Sequence, residues 1–136
     1  HSSNALYVAK GLQQLGLSVR YPGLPEHKQH KLMSSIMNKA YGYGGIVSVE
    51  LGTVERANEY MRLLQEEGVG YCAVSLGYFR TLFSTSGHST SSEVPCDVQR
   101  KMGLSEGLVR FSIGLDNDIA RSMDKMKQCL ARIKPL

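Results

Sequence analysis

An arginine inside an apolar segment is the residue of this sequence best suited to chemistry. Residues 108–116 read Leu-Val-Arg-Phe-Ser-Ile-Gly-Leu-Asp, and this alternation predicts a strand that ends at a glycine. Arg110 and Ser112 would share one face of that strand, while the apolar residues beside them enter the core. A guanidinium holds a carboxylate through two parallel hydrogen bonds, so Arg110 is a candidate anion clamp. Spacing alone favours a solvated arginine at a strand edge.

A second segment supports the interpretation of Arg110 as an anion clamp. Tyr71–Val74 is predicted to be a strand, and it breaks at Ser75-Leu76-Gly77, where glycine permits a turn. A polar residue at such a break can face a ligand. We therefore place the candidate site at Ser75 and Arg110.

Four motifs, in one order, resemble the carboxy-terminal domain of the Cys/Met-metabolism pyridoxal-phosphate enzymes. This family includes methionine γ-lyase, cystathionine γ-lyase, cystathionine γ-synthase and the homoserine sulfhydrylases, and the likeness runs from about Asn4 to Leu130. Those enzymes are much longer, so we expect residues 1–136 to form the substrate-side domain alone, with the large cofactor-binding domain outside this chain. The motifs are Tyr21-Pro22-Gly23-Leu24 followed by His27 and His30, residues 44–50, residues 74–77 and residues 108–115.

The resemblance implies a role for each site residue. Arg110 would hold the α-carboxylate of an amino-acid substrate, and Ser75 would add a hydrogen bond beside it. Val74 and Thr90 would complete the substrate-binding set. The resemblance implies no catalytic, cofactor-binding or metal-binding residue within this chain.

The cofactor and partners also follow from the resemblance. The parent enzyme would use pyridoxal phosphate, form a homotetramer and act as a carbon–sulfur lyase or transferase. The chain alone is expected to bind no cofactor and to be inactive, because no lysine lies in the Ser/Thr-rich motif that carries it. The glycine-rich residues 41–45 precede a predicted strand, whereas a phosphate-binding loop follows a strand and opens a helix.

The sequence leaves the substrate open between methionine, cystathionine and a homoserine ester. It also leaves open whether the reaction at the γ-carbon is an elimination or a replacement. Members that cleave cystathionine tend to carry Glu at the position of Val74, so an apolar residue resembles methionine γ-lyase more. Arg80 replaces a frequent Glu, and Ser91 stands where His is common. A stand-alone domain that binds another protein without chemistry is the alternative from a different class.

Composition fits one soluble domain. The chain has 136 residues, 42% of them hydrophobic, enough for a single core. The net charge of +4 comes from scattered basic residues without interleaved aromatic ones, which disfavours nucleic acid. No apolar run reaches a membrane span and no signal-peptide pattern is visible, so we expect a cytoplasmic protein. Its three cysteines are expected to be free thiols, with Cys72 in the core.

Two other chemistries find little support. His27 and His30 are spaced like metal ligands on a helix, but no third ligand lies at motif spacing. Ser75 and His88 suggest a hydrolase nucleophile and base, yet no GxSxG motif surrounds Ser75.

The predicted elements describe an α+β domain, a small, mainly antiparallel sheet with helices packed on one face. Asn4 is the expected N-cap of the first helix and Thr53 that of the third. Leu32 and Ile36 are expected to face inward from the second helix. Helices are predicted over residues 4–15, 26–38, from 53, 95–102 and 117–133, and strands over 46–51, 71–74, 79–83 and 108–113.

Overall fold

A five-stranded sheet organises the computed structural model, which describes residues 1–85 and 94–133. Its spatial order is β1-β2-β5-β4-β3. The β3–β4 pair is parallel and the other three pairs are antiparallel, which confirms the predicted fold class. The strands are β1 (Ser18–Arg20), β2 (Ile46–Glu50), β3 (Gly70–Cys72), β4 (Thr81–Thr85) and β5 (Leu108–Ser112).

Three of the described helices cover one face of this sheet. Their apolar sides meet the inward residues of β2, β4 and β5 in one continuous core. None of the described helices is long and apolar enough to cross a membrane. The helices are α1 (Ser2–Gln14), α2 (His30–Ile36), α3 (Val54–Glu66), α4 (Cys96–Lys101) and α5 (Ile119–Arg132), of which α1, α3 and α5 form the covering layer.

The central strand β5 divides its side chains between the two faces as alternation predicts. Val109 and Phe111 are fully buried in the core, where the Phe111 ring lies 6.4 Å from that of Tyr60 and 5.9 Å from that of Phe83. Arg110 and Ser112 point to the opposite face. The helices therefore fix the position of β5 and leave its other face available for a site.

Helix boundaries agree where a cap is local and differ where tertiary contacts compete. Thr53 caps α3, its Oγ1 accepting a hydrogen bond from the Arg56 backbone N–H. The prediction for Asn4 was wrong: it lies inside α1, and its side-chain amide donates to the carbonyls of Gly114 and Asp116. A long-range partner thus replaces the local cap.

The second helix and one cysteine also depart from the predictions. Helix α2 is shorter than predicted and has no buried residue, and Leu32 and Ile36 are exposed, because α2 lies apart from the helical layer. Cys72 is exposed rather than in the core, since β3 is an edge strand with only Gly70 buried. Cys129 is a free thiol inside the core.

The 73–80 loop, between β3 and β4, is fastened to the end of β5. The backbone N–H of Leu115 donates to the Phe79 carbonyl at 2.7 Å, and the Gly114 N–H donates to Thr81 Oγ1 at 3.0 Å. A Cβ added at Gly114 would lie 2.5 Å from the Phe79 carbonyl oxygen. Glycine is therefore required where the two backbones meet.

We predict that Gly114→Ala lowers the free energy of unfolding by about 1–3 kcal/mol, because the new methyl group forces two backbone segments apart. Gly45→Ala is the matched control. Its Cβ would meet only the His1 side chain within 3.4 Å, so we expect a smaller loss. Urea unfolding measures both variants, and equal stabilities would contradict the steric argument.

Candidate functional site

Arg110 lies at the middle of β5, between a serine on each neighbouring strand. The register pairs it with Ser48 of β2 and Ser84 of β4, and cross-strand partners share a face. Arg110 is half-buried. This polar row stands on the face opposite the helices, where the sequence predicted Arg110 and Ser112.

The guanidinium of Arg110 is only partly satisfied. Its Nη2 donates to the Ser75 carbonyl at 3.3 Å, a long and therefore weak hydrogen bond. Its Nε is buried and has no hydrogen-bond partner among the described residues. A buried donor without an acceptor costs free energy, so an oxygen acceptor brought to this nitrogen would stabilise the site.

Electrostatics favours an anion at this point. Burial lowers the pKa of the Arg110 guanidinium, because removal from water penalises its charged form. None of the ion pairs between described residues includes Arg110. A carboxylate could accept from Nε–H and one Nη–H together and would supply the missing countercharge.

Ser75 stands where the sequence predicted, beside Arg110, but its backbone makes the contact. The carbonyl oxygen of Ser75 accepts from Arg110, while the residue itself is exposed. Two residues on, Gly77 has a φ of 70°, and its N–H donates to Ser112 Oγ at 3.0 Å. The turn that carries Ser75 is thus bound to the strand that carries Arg110.

The other predicted site residues are only partly located. Val74 precedes Ser75 and is 57% exposed, so its apolar side chain is free to meet a ligand. Thr90 lies outside the described residues, as do His88 and Ser91. The structure therefore brings Arg110 into contact with Ser75, places Val74 next to Ser75 in the chain, and leaves the assignment of Thr90 a prediction.

Arg80 has a structural role instead. Its guanidinium donates to the Gly68 carbonyl at 2.9 Å and to the Tyr71 hydroxyl at 3.2 Å, and it lies 5.0 Å from the centre of the Tyr71 ring. These contacts hold the start of β4 against β3.

His27 and His30, the pair considered as metal ligands, contact nearby residues of the protein. His30 Nδ1 lies 2.7 Å from the Pro22 carbonyl, and its ring stacks on Tyr43 at 5.2 Å. His27 Nδ1 accepts from the Gln29 N–H at 3.2 Å. Within residues 1–85 and 94–133, no three metal-ligating side chains gather into one group.

A cleft of about 520 Å³ lies beyond the end of β5, next to the start of α5, but its acidic residues already serve the backbone. Asp116 accepts from the Asp118 N–H at 2.9 Å, and Asp118 accepts from the Arg121 N–H at 3.1 Å. These bonds cap α5. The buried Nε of Arg110, which no described residue satisfies, makes Arg110 the stronger candidate.

The described residues do not fit pyridoxal phosphate. Their lysines are exposed, apart from Lys125, whose Nζ donates to the Glu67 carbonyl at 2.6 Å. The glycine-rich residues 41–45 form a turn before β2, as predicted. The arrangement around Arg110 suits a carboxylate.

Sequence reasoning missed the contribution of Ser112. Its side chain was placed on the ligand face, yet it is only 2% exposed because the 73–80 loop covers it. The available signal was its spacing of two residues from Arg110 on a predicted strand. Nothing local indicated that its partner would be a backbone N–H 35 residues earlier.

We predict that Arg110→Met raises the free energy of unfolding without ligand by about 0.5–1 kcal/mol, because it removes a poorly paired, partly buried charge. Arg20→Met is the control, since Arg20 donates to the Gly103 carbonyl at 2.7 Å and would lose that bond. Thermal and urea unfolding report both changes. Any loss of stability in Arg110→Met would contradict an unsatisfied guanidinium.

Known proteins are similar to this chain in both sequence and fold. The profile of the family "Cys/Met metabolism PLP-dependent enzyme" matches residues 1–130. Methionine γ-lyase from Arabidopsis thaliana is 42% identical over 134 residues, which cover 98% of this chain and 30% of that protein. Cystathionine β-lyase from Coxiella burnetii is 31% identical over 118 residues, covering 85% of this chain and 29% of the relative.

Solved structures of known proteins are also similar to this chain in fold. A Campylobacter jejuni protein designated O-acetylhomoserine (thiol)-lyase, which carries a pyridoxyl-lysine phosphate, superimposes with a TM-score of 0.85 at 26% identity, covering 96% of this chain and 30% of its own. Cystathionine γ-lyase from Micromonospora echinospora gives 0.81 at 27% identity, with coverages of 96% and 33%. The chain spans about a third of these relatives' length. With its ordered motifs, its sheet and its matched profile, the chain belongs to the Cys/Met metabolism PLP-dependent enzyme family.

Proposed function

We propose that this chain is the substrate-side, carboxy-terminal domain of a pyridoxal-phosphate-dependent carbon–sulfur lyase or transferase, similar to methionine γ-lyase. Its task is to bind the α-carboxylate of a sulfur-containing amino acid. The observation that carries this proposal is the buried Arg110 Nε, which has no hydrogen-bond partner within residues 1–85 and 94–133. It stands in the motif through which the sequence resembles the family.

Carboxylate binding by Arg110 orients the substrate. A two-point contact fixes the plane of the carboxylate and so the direction of the bonds at the α-carbon. Such binding energy, gained away from the reacting bond, lowers the barrier when it favours the reactive geometry. Ser75, beside the guanidinium, adds a hydrogen bond to the same carboxylate.

Val74 suggests the kind of side chain that the substrate carries. It is exposed beside Ser75, and an apolar group favours an uncharged thioether such as that of methionine. A cystathionine γ-lyase, a cystathionine γ-synthase or a homoserine sulfhydrylase remains the alternative within the family. Elimination and replacement differ in which nucleophile reaches the reacting group, and Val74 does not distinguish between them.

The cofactor and the remaining machinery lie outside this chain in the proposal. The large domain would hold pyridoxal phosphate, and the parent protein would form a homotetramer in the cytoplasm. The exposed apolar side chains of the 73–80 loop support a covering partner, because such a surface is uncommon on a monomer. They are Val74, Leu76, Tyr78 and Phe79.

The same surface favours one alternative from another class, a stand-alone domain that binds a protein and catalyses nothing. The intact mass of the protein produced in the cell distinguishes the enzyme from the interaction domain. A longer polypeptide with the absorbance of bound pyridoxal phosphate supports the enzyme. A product without a cofactor domain supports the interaction domain.

We expect Arg110→Ala to lower kcat/KM by about thirtyfold to a thousandfold in the full-length protein that carries this chain, about 2–4 kcal/mol, because a buried charged contact is lost. Arg110→Lys keeps the charge but loses the two-point geometry, so it should also be impaired. Steady-state kinetics with L-methionine measures both. Cofactor absorbance should not change.

The control is Arg20→Ala, which removes a guanidinium from the edge strand β1 and should leave kcat/KM nearly intact. A substrate amide should suffer less from Arg110→Ala than the amino acid does. An unchanged kcat/KM in Arg110→Ala, or loss of the cofactor with substrate affinity intact, would refute the role of Arg110.

We further expect Val74→Glu to shift substrate preference from methionine towards cystathionine, whose distal ammonium can pair with the new carboxylate. Val74→Gln has a similar shape without the charge and is the control. Product analysis with methionine, cystathionine and O-acetylhomoserine gives the ratio of kcat/KM values. Equal ratios in the two variants would exclude a charge-based preference at this position.

A further inference from the structure

Ser112 connects the two parts of the carboxylate site. Its Oγ accepts the Gly77 N–H at 3.0 Å, and it is 2% exposed. It follows Arg110 by two residues on β5, so both side chains leave the same face. One strand therefore carries the guanidinium and also the anchor of the loop beside it.

The contacts form a closed ring. From Arg110, the hydrogen bond to the Ser75 carbonyl leads into the turn, and the turn runs through Leu76 to Gly77. From Gly77, the bond to Ser112 Oγ returns to β5. In such a ring the Ser75 carbonyl has little freedom to move relative to Arg110.

The anchor acts at the turn itself, whereas two other hydrogen bonds hold the ends of the 73–80 loop: the Ala73 N–H donates to the Phe83 carbonyl at 3.0 Å, and the Leu115 N–H donates to the Phe79 carbonyl at 2.7 Å. Leu76 is 55% exposed, and the positive φ of Gly77 is a conformation that most residues avoid. The Arg110–Ser75 bond, at 3.3 Å, is too long to hold the turn strongly. The bond to Ser112 is shorter, and the loop shields it from water.

We propose that Ser112 is a positioning residue for substrate binding: by holding the Gly77 N–H, it sets Ser75 and the Arg110 guanidinium in the arrangement that receives the carboxylate. Ser112 itself touches no substrate. The inference rests on the proposed function, since it concerns the same site. It assigns the binding geometry to a side chain buried beneath the loop.

The test compares ligand affinity in matched variants of the 136-residue chain. Nuclear magnetic resonance titration with L-methionine and L-methioninamide follows the backbone N–H signal of Gly77, which the wild type and every variant retain. We expect the wild type to prefer L-methionine and Arg110→Ala to lose that preference. We expect Ser112→Ala to lower L-methionine affinity about five- to tenfold, the equivalent of one hydrogen bond.

Thr81→Val is the control for a merely structural effect. Thr81 Oγ1 also accepts a buried backbone N–H, that of Gly114 at 3.0 Å, but it does not hold the turn at Ser75. Comparable losses in melting temperature are expected for Thr81→Val and Ser112→Ala. L-Methionine affinity should change less than about twofold in Thr81→Val, the scale of scatter between independent sites.

Ser112→Thr keeps the oxygen acceptor and should restore most of the affinity lost in Ser112→Ala. Equal affinities in Ser112→Ala and Thr81→Val would overturn the positioning role while leaving that of Arg110 intact. A wild type that does not distinguish L-methionine from L-methioninamide would overturn the proposed function and this inference together. An Arg110→Ala effect without a Ser112→Ala effect separates the two failures.

Discussion

The pairing of β5 with both β2 and β4 is the constraint on which the rest of the molecule depends. It places Phe111 between the rings of Tyr60 and Phe83 and so ties the sheet to the helical layer. The same backbone presents Arg110 to the opposite side. Because successive strand residues face opposite ways, the packing of the core also sets the direction of the guanidinium.

Alternation within residues 108–113 was enough to predict that strand and its two faces, and Thr53 was enough to predict the start of α3. The failures involve residues whose partners are distant in sequence. Asn4 has a cap-forming side chain, but carbonyls more than 100 residues away compete for it. Cys72 looked apolar and buried, yet an edge strand has no covering layer.

The same distinction applies to the site. The residue types of the site could be identified from the sequence, because arginine in an apolar strand is chemically unusual and the motifs resembled those of a family. The turn from Ser75 to Gly77 was located but not its attachment, which depends on contacts across 35 residues. Thr90 lies in the part of the chain that the structure does not describe, so its assignment stays a prediction.

The order of strands in the sheet differs from their order along the chain, and this affects synthesis. Strands β2 and β4 leave the ribosome before β5, which lies between them. Until residues 108–112 emerge, each has a free edge and apolar side chains without a central partner, a state prone to association. Closure of the sheet therefore waits for the segment that carries the arginine, and a nascent chain stalled before it would be a substrate for chaperones.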